Sequence, residues 1–154
     1  MLIRLERYYR GVEISPAAED LVREARVARL ATVDERGRPH LVPVCFVFAD
    51  GVAYSVIDEK PKRVAPARLR RLRNVAANPY VQLLVDVYDE DWTRLVYVQL
   101  RGRASILEPG REQAAAVRSL RAKYPQYAAM ALDEMPVLRI AVERAVVWGR
   151  RFSG

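Results

Sequence analysis

The sequence predicts a mainly β protein with a few short helices, its six strands closing into a small antiparallel barrel. Three observations carry this. Six runs read as strands, and the connections among the first three are too short for the crossovers of a parallel sheet. Helical periodicity is confined to stretches before the first strand and after the third and fifth. The chain has 154 residues, 51% of them apolar, which suits one domain over 1–154 that buries about 70% of its unfolded surface without a disulfide or metal staple. Residues 1–14 read as an N-terminal arm.

In chain order, Ser15-Pro16 is a helix cap followed by proline at the first helical position, with Glu19 and Asp20 near the positive end. Leu21, Val22, Ala25 and Ala28 extend that helix to about Arg26. Arg29–Val33 is the first strand, and Asp34-Glu35-Arg36-Gly37 turns into the second, His40–Ala49. Asp50-Gly51 is a two-residue hairpin turn into Val52–Ile57. These three strands form an antiparallel meander. Pro61 and Pro66 keep the next stretch irregular, until Leu69, Leu72, Val75 and Ala76 give a helical apolar stripe that Asn78-Pro79 ends. Val81–Tyr88 and Leu95–Leu107 are strands four and five. Pro109-Gly110 opens a helix that ends near Tyr124-Pro125. In the last strand Leu138, Ile140 and Val142 alternate with Arg139, Ala141 and Glu143.

Composition removes several function classes. No apolar run approaches the ~20 residues that span a bilayer, and the first 15 residues carry no apolar signal core. Cys45 is the only cysteine and fits a reducing, cytoplasmic compartment. With one histidine, His40, it is too little for a zinc or iron–sulfur site. Asp86, Asp89 and Asp91 lack a calcium-loop pattern. His40, with no triad motif around it, and Cys45, in an apolar strand, read as structural.

The net charge is +7, and it is concentrated. Lys60, Lys62, Arg63, Arg68, Arg70, Arg71 and Arg73 lie within one acid-free stretch, while the rest of the chain balances 19 cations with 19 anions. Such a run is a solvated helix face, an anion site or a nucleic-acid patch. No aromatic is interleaved with these cations, so nucleic acid is the weakest of the three. A filled small barrel also sends any ligand to its outside or to a subunit interface.

Ala28–Asp34, Gly37-Arg38-Pro39-His40 and Pro43–Phe48, then Tyr54–Asp58, Leu72–Val75 and Asn78–Val81, resemble in order and spacing the pyridoxamine 5'-phosphate oxidase-like, FMN-binding split β-barrel superfamily. The resemblance covers about Ala28 to Gly102. It implies a six-stranded, Greek-key-like split barrel that is a homodimer with its cofactor at the interface. Asp58–Lys62 and Asp86–Trp92 look most like a branch using the deazaflavin coenzyme F-420, and FMN is the alternative cofactor.

The resemblance implies a cofactor phosphate held by basic residues after the third strand: Lys60 and Lys62 on the loop, Arg70 and Arg71 at positions that are Arg-Lys in related members. Asn74, in the same motif, joins them. An arginine offers phosphate a bidentate fork, a lysine only a mobile point charge. The ring is expected beside Pro43, Val44, Ser55, Val56 and Ile57, where strand backbone bonds its edge. Trp92 and Tyr88 are candidates for an aromatic wall from the partner subunit and Trp148 is another, with ordinary core or dimer packing the alternative for each. The implied reaction is hydride transfer to a small electron-poor organic acceptor, with no catalytic acid or base assigned. Trp148–Gly154 lacks the Arg-Leu-x-Pro type ending, which disfavours pyridoxamine phosphate oxidase itself. A coenzyme-carrying or RNA-binding module without turnover is the alternative from another class.

Overall fold

Local signals set the elements of the computed structural model, which describes residues 7–9, 12–58 and 69–152. Arg7–Tyr9 (β1) and Val12–Ile14 (β2) pair antiparallel. Ser15 then caps helix α1, Pro16–Glu24, its hydroxyl accepting from the Ala18 amide at 3.3 Å. The strands Ala28–Val33 (β3), Pro39–Val44 (β4), Val47–Ala49 (β5) and Val52–Val56 (β6) follow. Asp50 and Gly51 both have positive φ, 51° and 75°, the pair of left-handed residues that a tight hairpin turn demands. Helix α2, Arg70–Ala77, ends where Asn78-Pro79 forbids continuation. Tyr80–Val87 (β7), Val96–Leu107 (β8), helix α3 (Arg111–Lys123) and Val137–Trp148 (β9) complete the chain.

Among the described residues seven strands, rather than six, form one curled antiparallel sheet in the order β4-β3-β7-β8-β9-β6-β5, a half-barrel with three helices. The extra strand arises because the expected second strand, His40–Ala49, breaks at Cys45-Phe46. Its first part pairs β3 and its second part pairs β6, at opposite ends of the sheet. The expected meander is corrected for the same reason: β3 sits between β4 and β7, so the chain crosses from one sheet edge to the other at the break.

That crossing exposes backbone groups of Phe46, and α3 supplies their partners. The Tyr124 hydroxyl accepts from the Phe46 amide (3.0 Å) and donates to the Phe46 and Arg26 carbonyls (2.8 and 2.9 Å) as its single hydrogen permits. Lys123 Nζ donates to the carbonyls of Ala25 (2.7 Å) and Phe46 (3.0 Å) and lies 4.5 Å from the Phe46 ring centre. Inside the curl, Leu30, Phe46, Leu83, Val98, Leu100 and Ile140 form the main core. Val117, Leu120, Tyr127 and Val137 form a second core under α3. Between β8 and β9 the register slips at Gly102, where a Cβ would lie 2.1 Å from the Ala141 carbonyl oxygen, so only glycine admits this approach. Among the described residues, no helix is long and apolar enough to cross a membrane.

Candidate functional site

Two strands present unpaired edges beside the Cys45-Phe46 crossing. Among the described residues β4 pairs only with β3, which leaves its far edge at Pro43-Val44 without a strand partner there. On the other side, β5 begins at Val47, opposite Tyr54. Among the described residues, Ser55 and Val56 therefore pair only with Leu138 and Val137 of β9, and the Ile57 amide donates to the Pro136 carbonyl. Side chains of Val44, Ser55, Val56 and Ile57 are buried, and Pro43 is exposed. What these residues can offer a ligand is mainly backbone.

Helix α2 brings charge to the same end. Asn74 is buried and its amide donates to Thr32 Oγ1 at 3.0 Å, fixing the helix against β3. Thr32 lies opposite His40 of β4, and Arg70 and Arg71 precede Asn74 by one turn. Burial first, then the charges of Arg70 and Arg71, hold the His40 imidazole below its usual range. His40 Nδ1 is buried without a hydrogen-bond partner. Burial and the two charges both favour the neutral imidazole. Among the described residues no side chain caps α2, and its first turn holds no acid, so two arginines stand at the positive end of a helix dipole. That arrangement is unfavourable until an anion arrives.

Arg71 turns inward. Burial lowers its pKa, against the opposing pull of Asp58 and Tyr127. Tyr127 donates to Asp58 Oδ2 at 3.2 Å, contacts the Cys45 thiol, and has its own ionisation pushed far up, chiefly by burial. Cys45, Tyr124, Tyr127, Met130, Arg26 and Val27 line a recess of about 610 Å³ on the near side of this chain of contacts. Sequence reasoning missed Tyr127 and Asp58. Their placement depends on packing across the chain, though Asp58 stood inside a motif already singled out.

The other expected site residues divide. Arg70 and Arg71 come together with His40, while Asn74 spends its amide on Thr32. Lys60 and Lys62 lie outside the described residues. Trp92 begins a short 3-10 turn, Trp92–Arg94, between β7 and β8 and is 72% exposed. It lines none of the recesses described here. Trp148 is also exposed and stacks on Tyr97, ring centres 5.5 Å apart.

The family model for pyridoxamine 5'-phosphate oxidase matches residues 14–149. The chain belongs to that family. Its fold recurs in a conserved hypothetical protein of Mycobacterium tuberculosis (TM-score 0.73, 23% identity, covering 90% of this chain and 86% of that one). It also recurs in HutZ, the heme storage protein of Vibrio cholerae (TM-score 0.68, 19% identity, 87% and 95% covered). A third case is a putative pyridoxamine 5'-phosphate oxidase of Listeria innocua (TM-score 0.62, 18% identity, 84% and 93% covered). At these identities the likeness speaks for the fold. No curated protein matches the chain in sequence.

Proposed function

We propose that this family member binds a phosphate-bearing flavin-type cofactor, coenzyme F-420 or alternatively FMN, and works as an oxidoreductase on a small organic acceptor. The observation that carries the reading is the uncapped, acid-free start of α2, where Arg70 and Arg71 stand beside a neutral His40. The residues present fit such a group: an anion offsets the two guanidiniums and the helix dipole together. Lys60 and Lys62 belong to the same reading as mobile cations on the preceding loop. When bound, the cofactor supplies hydride transfer. The chain's own part is to hold the phosphate through Arg70 and Arg71 and to present the open backbone edges of Pro43-Val44 and Ser55–Ile57 to the ring. Asn74 acts by seating α2.

The same reading takes the protein as a homodimer. Leu41 (66% exposed), Tyr88 (66%), Trp92 (72%) and Trp148 (51%) place large apolar side chains in solvent on the outer side of the sheet and its β7–β8 connection. A second copy covers them, and Trp92 then serves the partner's site.

Haem is a second reading, since HutZ shares the fold. A ligating histidine ordinarily donates its other ring nitrogen to an acceptor. His40 is the chain's only histidine, and its Nδ1 has none among the described residues. We therefore rank haem below flavin. Separate titrations of the purified chain with F-420, FMN and hemin, read by absorbance, test this: F-420 or FMN is expected to change spectrum on binding, and the Arg70→Ala/Arg71→Ala variant to bind at least about tenfold more weakly. Saturable binding of hemin alone would overturn the flavin reading.

A further inference from the structure

We propose that the cleft between the β3–β4 turn and α2 is a second anion subsite, taking a further phosphate or carboxylate group set a few atoms from the one held at Arg70. The reading of α2 as a phosphate site supplies the first group, while the cleft stands on its own geometry. Its volume is about 360 Å³, and Arg36, Arg38, Arg70 and Arg73 line it, with Asp34 and Glu35 the acids. Among the described residues no aromatic or large aliphatic side chain lines it, so this lining suits an anionic chain better than a ring.

The turn is built before any ligand arrives. Asp34 Oδ1 accepts from the amides of Arg36 and Arg38, both at 2.9 Å, and Oδ2 accepts from Arg38 Nε at 2.7 Å. These contacts, the Arg38 amide foremost, hold the Asp34 carboxyl below its usual range. Its charge is thus consumed by the turn, leaving Glu35 as the free acid at the rim. Across the cleft, Arg70 and Arg73 are three apart and share one face of α2. The Asn74–Thr32 bond fixes that face relative to β3.

Partner choice separates these arginines from many others. Arg29, Arg94, Arg103, Arg121 and Arg139 each face a carboxylate. Among the described residues, Arg36, Arg70 and Arg73 have no carboxylate partner. Unpaired guanidiniums gathered in one concavity repel one another and concentrate a positive field, and a ligand with adjacent oxyanions relieves both effects. Their planar forks match such oxyanions. Arg70 lies in the cleft and beside His40, so it joins the two positions.

The test is calorimetric titration of the full chain with inorganic phosphate, pyrophosphate and FMN. Pyrophosphate is expected to bind at least about tenfold tighter than phosphate. Arg36→Ala/Arg73→Ala is expected to bring pyrophosphate down to the phosphate level while phosphate and FMN affinities stay within about twofold. The control is Arg111→Ala/Arg118→Ala, which removes the same charge from α3. Three results would each overturn the subsite: pyrophosphate no tighter than phosphate, an equal loss in the control, or an equal loss for FMN. The affinity of F-420 for wild type and for Arg36→Ala/Arg73→Ala separates the sources: a loss in the variant means that the second group belongs to the cofactor, and an unchanged affinity means that the subsite serves a free polyanion. Should neither cofactor bind while pyrophosphate still depends on Arg36 and Arg73, the subsite stands and the flavin reading falls.

Discussion

The Cys45-Phe46 crossing and the start of α2 both interrupt regular structure, and they resolve the interruption in opposite ways. At the crossing, the broken strand's backbone finds the Tyr124 hydroxyl and the Lys123 ammonium. At α2, the helix start has no side-chain cap and places Arg70 beside it without a carboxylate partner. The first region is satisfied by the chain itself and the second is left for something else to satisfy. Stability and binding therefore separate in space, and substitutions distinguish them.

The largest expected effect on stability is at the crossing. Tyr124→Phe leaves the buried Phe46 amide without an acceptor and should cost about 1–3 kcal/mol in urea unfolding, with no change in phosphate binding. An unchanged midpoint would break the contrast. Asn74→Ala removes the donor to Thr32 and should cost about 1–2 kcal/mol while also weakening phosphate binding, because α2 loses its seat. A loss of binding without a loss of stability would instead make Asn74 a direct ligand.

Lys123 gives a pH signature. Burial, then the Arg26 charge, lower its pKa from 10.5 to about 8. Between these values the unfolded chain binds more protons than the folded one, so this group makes stability rise with pH across that window. Unfolding midpoints measured from pH 8 to 10 should show that rise, and Lys123→Met should flatten it. The smallest effect belongs to surface pairs. Breaking Arg103–Glu143, whose two side chains are more than half exposed, with Arg103→Ala should shift stability by at most about 1 kcal/mol.

Much of the fold was legible in the sequence because its signals are local. The Ser15 cap, the Asp50-Gly51 turn and the Asn78-Pro79 stop each act within a few residues. The break in the second strand was not legible, and the reason is parity. Val44, Phe46 and Phe48 are all buried, so inward alternation runs straight through the crossing. What marks the break is Tyr124, 78 residues away in sequence. At the site, excess charge pointed to the Lys60–Arg73 stretch and the family resemblance to Arg70 and Arg71 within it, but nothing local showed that the Asn74 amide goes to Thr32 or that Arg71 faces Asp58 and Tyr127. Nor did anything local place His40 beside both arginines.

The most direct measurement is the affinity of wild type and Arg70→Ala/Arg71→Ala for F-420 and FMN, with urea unfolding of both proteins alongside. At least a tenfold loss of cofactor affinity at a stability within about 1 kcal/mol of wild type is the expected result. Unaltered affinity in a folded double variant would contradict it, and would return the basic start of α2 to an ordinary solvated surface.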